Sequence, residues 1–257
     1  MPSKSFSAFL IDVDGVLHVG PEPVEGAFET IDALRRRDIG FRLVTNTTSI
    51  SRRLVVQRLN GMGFELEQED VLTPAAPALK LCADKGYEDV AVHVTDAMAE
   101  DFAELGVGSD TPDAVIIGDL GDGFTYSRMN TMFRQLDSGA QLIALQRNRY
   151  WEDESGLVLD AGVFVVALEY ATGDDSIVTG KPSAEFFAAA LDQLGADAAG
   201  AAMIGDDLEA DVGGAIDAGL CGILVRTGKF RQEKLVVSDV EPTLVIDSIA
   251  ELPDLLT

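Results

Sequence analysis

The chain has 257 residues, 47% of them hydrophobic, enough for one large domain or two smaller ones with proper cores. Its net charge of -25, from 44 acidic against 19 basic side chains, excludes the basic footprint that nucleic-acid binding needs. No apolar run approaches the roughly 18 residues of a membrane span, and residues 1–7 lack a signal-peptide apolar region. The acids are interleaved with apolar residues, so they belong to a folded surface rather than a disordered tail. With only six lysines, this composition suggests a high-salt cytoplasm, where salt screens the self-repulsion. Cys82 and Cys221 lie far apart in apolar contexts and read as buried thiols, which fits a reducing cytoplasm. His18 and His93, the only histidines, read as packing or surface residues and offer no zinc cluster.

In chain order, the apolar run Phe6–Ile11 predicts a buried strand that stops at Asp12 and Asp14, followed by Gly15. Chemistry in an open α/β sheet collects beyond the carboxyl ends of the strands, and two acids this close favour a cation such as Mg²⁺. A solvated Asp-Gly turn is the bland alternative. A helix over Val24–Arg37, ended by Gly40, leads to a strand over Phe41–Val44 and then Thr45-Asn46-Thr47-Thr48-Ser49. Thr47, Thr48 and Ser49 either cap the helix over Ser51–Gly61 or hold an anion, whereas Thr45 sits at the strand terminus itself.

From Pro74 to Ser176 a second alternation begins. It reads as helix Ala75–Lys85, strand Val90–Val94, helix Ala97–Leu105, strand Ala114–Ile117, helix Tyr126–Leu136 and strand Gln141–Leu145. The Gly118–Gly123 stretch reads as a solvated linker rather than a cation loop. Arg149, Tyr150 and Trp151 form a mix suited to gripping a small ligand, and Asp160 either caps the helix Val163–Tyr170 or contacts substrate. The chain then returns to the first domain, with Lys181 fixed between Gly180 and Pro182 before a helix over Ala184–Leu194. A strand over Ala201–Gly205 ends in Asp206-Asp207, with Asp211 beyond. Strands Cys221–Val225 and Leu244–Ile246 and a helix over Ser248–Leu256 complete the chain.

The expected architecture is therefore α/β: a Rossmann-like, doubly wound parallel sheet formed by residues 1–73 and 177–257, with residues 74–176 inserted as an α/β domain. Asp12, Asp14, Thr45, Lys181, Asp206 and Asp211 fall on one sheet edge and suit Mg²⁺ plus a phosphoryl group. Asp12 would attack phosphorus, Asp14 would act as acid and base, and Thr45 and Lys181 would bind phosphoryl oxygens.

These four stretches, Asp12-Val13-Asp14-Gly15, Thr45-Asn46, Gly180-Lys181-Pro182 and Gly205-Asp206-Asp207 with Asp211, resemble in order the motifs of the haloacid dehalogenase superfamily. The insertion resembles the C2-type cap of its nitrophenylphosphatase-like branch. The segments around Met203–Asp207, Asp211–Ala215 and Val225–Phe230 are similar to the phospholysine phosphohistidine inorganic pyrophosphate phosphatase subgroup. The resemblance implies Asp12 as nucleophile and metal ligand, and Asp14 as acid/base with a metal-binding backbone carbonyl. It implies phosphate binding by Thr45 beside Asn46, and Lys181 steadying nucleophile and phosphate. Asp206 is implied as a direct Mg²⁺ ligand and Asp211 as a more distant or water-mediated one. Thr47 stands where relatives often carry a second asparagine, and Asp207 has no role assigned. Arg149 is expected to line the leaving-group pocket.

The function implied is Mg²⁺-dependent hydrolysis of a small phosphate ester in the cytoplasm, with pyrophosphate or a phospho-amino acid as the alternative substrate. A non-catalytic phosphate-binding module would be expected to have lost Asp12 or Asp14, and a dehalogenase does not need Asp14. A receiver domain is about half this length, and a mutase is a lesser alternative. The exposed face of the inserted sheet could support a homodimer.

Overall fold

The computed structural model describes residues 6–106, 108–153 and 156–256. Strand β1 (Ala8–Asp12) is buried along its whole length, as its continuous apolar run requires. It is followed by a small antiparallel pair, β2 (His18–Val19) and β3 (Glu22–Pro23), and by helix α1 (Ala27–Arg36), which buries Ala27, Thr30, Ile31 and Leu34. Then come β4 (Gly40–Val44), α2 (Arg52–Gly61), β5 (Val71–Leu72), α3 (Ala75–Lys85), β6 (Val90–His93), β7 (Ala114–Ile117) and α4 (Tyr126–Asp137). The next elements are β8 (Gln141–Ala144), β9 (Tyr150–Asp153), β10 (Gly156–Leu159), α5 (Ala161–Thr172), β11 (Ile177–Val178) and α6 (Ala184–Leu194). Strands β12 (Ala201–Gly205), β13 (Cys221–Val225) and β14 (Leu244–Ile246) follow, interleaved and closed by the short helices α7 (Gly214–Asp217), α8 (Gln232–Val237) and α9 (Leu252–Leu255).

The chain divides into two units. The first runs up to Thr45, from Val56 to Leu72 and from Lys181 onward. Its sheet has the order β14-β13-β12-β1-β4-β5 with every pair parallel. The chain leaves β1 towards β4 and later returns on the other side as β12, so the order reverses beside β1. The carboxyl ends of β1 and its neighbours frame the crevice that such a reversal creates. Ser183 caps α6 by accepting from the Phe186 N–H at 3.2 Å, and Gly195 ends it at φ 60°.

The second unit comprises residues 46–55 and 73–180. It holds a parallel sheet of order β11-β8-β7-β6 and an antiparallel pair, β9 with β10. Residues 46–55, placed by sequence with the first domain, cluster here instead. Thr95 Oγ1 donates to Ser49 O at 2.6 Å, the Asp119 N–H donates to Thr48 Oγ1 at 3.0 Å, and Ser51 Oγ donates to Glu100. Residues 177–180 do likewise, because Ile177 and Val178 pair with Ile143 and Ala144 at the edge of this sheet.

One expected element needs correction, and one element has no counterpart in the sequence reading. The helix expected over Ala97–Leu105 is a single 3₁₀ turn, Ala99–Phe102. Around it only Met98 and Phe102 are fully covered, too few positions to bury a longer helical face. The hairpin β9–β10 was not foreseen, because its exposed Tyr150, Trp151, Leu157 and Leu159 do not alternate with polar residues as a half-buried strand would. Among the described residues no helix is long and apolar enough to cross a membrane.

Candidate active site

The candidate residues of the first unit hang from strand ends. Asp12 closes β1, Thr45 follows β4 and Asp206 follows β12. Lys181 opens the last stretch of this unit, and its peptide bond to Pro182 is cis. Asp207 caps a π-helical turn, Leu208–Gly213, by accepting from the N–H groups of Glu209 and Ala210; Asp211 lies within that turn. Asp12, Asp206 and Asp211 are all buried, and each offers a carboxylate oxygen within 4.8 Å of the others. Lys181 Nζ sits between two of them, 2.5 Å from Asp12 Oδ1 and 2.7 Å from Asp211 Oδ1. The first contact is a hydrogen bond; the second is an ion pair without hydrogen-bond directionality.

Three carboxylates against one ammonium leave excess negative charge in a buried place. Burial raises the Asp12 pKa well above the carboxylate range; Asp211 and Asp206 add to this and Lys181 opposes it. Asp206 is pushed up to about 7 by burial and Asp211, against the Lys229 N–H that donates to its Oδ2 at 2.6 Å. Burial disfavours the Lys181 ammonium, yet Asp12 and Asp211 hold its pKa above the ordinary lysine value. Asp207 goes the other way: burial opposes its charge, but the Lys229 ammonium and the Ala210 N–H outweigh it.

These residues fit a divalent cation. Asp206 Oδ1 is buried with no hydrogen-bond partner, a costly state that a bound ion would relieve. Asp211 is more committed within the protein, since Oδ1 faces Lys181 and Oδ2 accepts from the Asp207 N–H at 3.1 Å. An all-oxygen donor set of this kind suits Mg²⁺.

Asp206 is walled in by two glycines. Gly15 has φ 89° and Gly228 φ 59°, a region that L side chains rarely adopt, and a methyl group at either would overlap Asp206 Oδ2. Gly15 is legible in the sequence as a turn, whereas Gly228 and Lys229 fall in the Val225–Phe230 segment of the resemblance without a role of their own. Gly15→Ala is expected to displace Asp206 and lower any activity of this site at least about 100-fold, as misplacement by about 1 Å can do. Activity of the variant within about threefold of the parent would show that the loop absorbs the methyl group.

Asp14 stands apart from the three-carboxylate cluster and is about half exposed, its side chain at 48%. Its Oδ1 accepts from Arg58 Nη2 at 3.1 Å and lies 3.4 Å from His18 Nε2; its Oδ2 accepts from Thr45 Oγ1 at 3.5 Å. His18 was expected as a packing or surface residue. It is buried, but packed against Asp14, and burial lowers its pKa with Arg58 helping and Asp14 opposing. Arg58, on α2 and 44 residues from Asp14, went unremarked in the sequence.

Asn46 and Arg149 belong to the second unit. Asn46 Oδ1 lies so near Gly180 that a Cβ there would meet it at 2.7 Å, and Arg149 is exposed just before β9. Asp160 caps α5, accepting from the Ala161 N–H at 2.7 Å and from the Gln146 side-chain amide.

The doubly wound sheet, with a carboxylate–lysine cluster at the point where its strand order reverses, defines an enzyme of the α/β class. Residues 9–108 match the family described as haloacid dehalogenase-like hydrolase, and residues 178–252 match a HAD-hydrolase-like family. The chain is 38% identical over 251 residues to human haloacid dehalogenase-like hydrolase domain-containing protein 2, covering 98% of this chain and 96% of that protein. It is 36% identical over 253 residues to human phospholysine phosphohistidine inorganic pyrophosphate phosphatase, covering 96% and 93%. The crystal structure of a 4-nitrophenylphosphatase from Thermotoga maritima matches with TM-score 0.92 at 25% identity over 98% of each chain. The chain belongs to the haloacid dehalogenase-like hydrolase family, and it is a hydrolase.

Proposed function

We propose that this enzyme is a Mg²⁺-dependent phosphatase acting on a small phosphate ester through an aspartyl-phosphate on Asp12. The observation that carries the reading is the Asp12 carboxylate bound by Lys181 beside Asp206, whose Oδ1 is buried and unpartnered. Lys181 engages Asp12 Oδ1, which leaves Oδ2 to form the bond to phosphorus as the ester P–O bond breaks. Asp14 gives its proton to the departing alkoxide oxygen. It then takes a proton from the water that cleaves the acyl-phosphate, which releases phosphate, frees the Asp12 carboxylate and returns Asp14 to its protonated form. Thr45 and Lys181 bind the phosphoryl oxygens, whose charge calls for fixed donors.

Asp12 and Asp206 would hold the metal, with Asp211 as a more distant or water-mediated partner and the Asp14 backbone carbonyl as a further ligand. Bound Mg²⁺ supplies charge neutralisation between the nucleophile and the anionic ester. Residues 74–176 act as a C2-type cap, and Arg149 within it contributes to leaving-group selection. The buried thiols of Cys82 and Cys221 fit a cytoplasmic setting.

The test is release of inorganic phosphate from a panel of phosphomonoesters, pyrophosphate and phospholysine, with Mg²⁺ and with EDTA, in molar KCl. Mg²⁺-dependent release from an ester supports the reading; folded protein that releases nothing from any compound overturns it. Pyrophosphate or a phospho-amino acid is the second reading, favoured by the similarity to a relative with that name. Arg149→Ala is expected to change the ranking of substrates several-fold while altering 4-nitrophenyl phosphate turnover little. An unchanged ranking would remove Arg149 from substrate selection.

A further inference from the structure

The loop after β1 carries a chain of contacts that ends on Asp14. The Gly15 N–H donates to His18 O at 2.8 Å, which folds the loop back and sets the imidazole beside the carboxylate. His18 Nδ1 lies 2.8 Å from Gly20 O. A carbonyl oxygen only accepts, so Nδ1 carries the proton, and in the neutral ring Nε2 is left as an acceptor. Arg58 Nη2 lies 3.2 Å from that Nε2 and 3.1 Å from Asp14 Oδ1, so one guanidinium nitrogen serves both. Arg58 Nε is buried without a hydrogen-bond partner, so the head group is held from its Nη2 end. The carboxylate it meets is half exposed, and its bond from Thr45 is long at 3.5 Å.

We propose that Arg58, itself oriented by His18, is a positioning residue that fixes Asp14 Oδ1 and so presents Oδ2 for proton transfer to the leaving group. This rests on the reading of Asp14 as the acid. The bond that breaks is the ester P–O bond; the proton moves from Asp14 Oδ2 to the alkoxide oxygen, and Arg58 stays protonated throughout. Neither residue touches phosphate in this role.

The consequence is selective for the leaving group. An alkoxide needs the proton, whereas 4-nitrophenolate is stable as an anion at neutral pH and leaves without it. The quantity to compare is kcat/KM, which covers steps only up to departure of the alcohol and is blind to the later activation of water. Holoenzyme and variants would be assayed with Mg²⁺ on an alkyl phosphate and on 4-nitrophenyl phosphate.

Asp14→Asn sets the reference. Arg58→Ala is expected to lose about 10–100-fold in kcat/KM on the alkyl ester and less than about threefold on 4-nitrophenyl phosphate, within the span of acid catalysis. Arg58→Lys, which keeps the charge, should recover part of the loss. His18→Phe keeps the ring and removes the acceptor, so it should show the same preference more weakly. It also decides the matter should Arg58→Ala lack a melting transition.

Equal losses on both esters would mean a structural role only and would overturn the proposal. If Arg58→Ala shows no preference while Asp14→Asn does, the acid reading stands and the positioning role fails. If Asp14→Asn shows none, the acid reading falls and the positioning role falls with it.

Discussion

Asp12→Asn is expected to lower phosphate release by at least about 10⁴-fold, because an amide cannot form the covalent intermediate and the later steps have nothing to act on. The substitution is nearly isosteric, so the pocket keeps its shape. It also removes one of three crowded carboxylates from a buried site where burial, Asp211 and Asp206 all oppose the Asp12 charge. In metal-free buffer the variant should therefore melt at or above the parent, the usual trade of a strained active site against stability. Lys181 retains Asp211 as a partner at 2.7 Å, so no ammonium is stranded. Phosphate release is one readout and a thermal melt in EDTA the other. Parent-like rates from this variant would refute Asp12 as the nucleophile, and a large drop in melting temperature would refute the account of the crowded carboxylates.

The opposite sign is expected at Lys181. Lys181→Met keeps the bulk of the side chain and deletes the charge, leaving Asp12 and Asp211 without their common cation. Breaking a buried ion pair from one side costs about 3–5 kcal/mol. At this chain length that corresponds to a fall in melting temperature on the order of 10 °C. Activity should be lost with it, since the phosphoryl group loses a fixed donor. The combination with Asp12→Asn is informative: if the cost is stranded charge, the double variant regains part of the stability that Lys181→Met loses. A Lys181→Met melt within about 2 °C of the parent would mean that solvent or neighbouring groups already compensate the carboxylates.

Much of this arrangement is legible in the residues themselves. Ala114–Ile117, Ala201–Gly205 and Cys221–Val225 are short apolar runs of the length a buried parallel strand requires, and the strands fall on those residues. Asp12 and Asp206 are readable for the same reason, because each is the first carboxylate after such a run. Lys181 is readable from its setting between glycine and proline. What sequence hides is pairing. Nothing local marks Ile177 and Val178 as the edge of one sheet rather than the return to another; only their register with Ile143 and Ala144 does. His18 looks like any loop histidine until Gly15 turns the chain back onto it, and Arg58 looks like a helix-surface cation until α2 brings it to Asp14. Gly228 falls in the same class, since its importance lies in the carboxylate it accommodates and not in its own turn.

The two glycines beside Asp206 also bear on ion size. A carboxylate with backbone on two sides and an N–H on Oδ2 has little freedom to swing, so its ordering is completed on folding rather than on capture of the ion. A divalent cation held there would meet a carboxylate already ordered, which would suit the strict geometric demands of Mg²⁺ better than the adaptable, larger shell of Ca²⁺. Backbone without side chains would thereby contribute to the choice of ion.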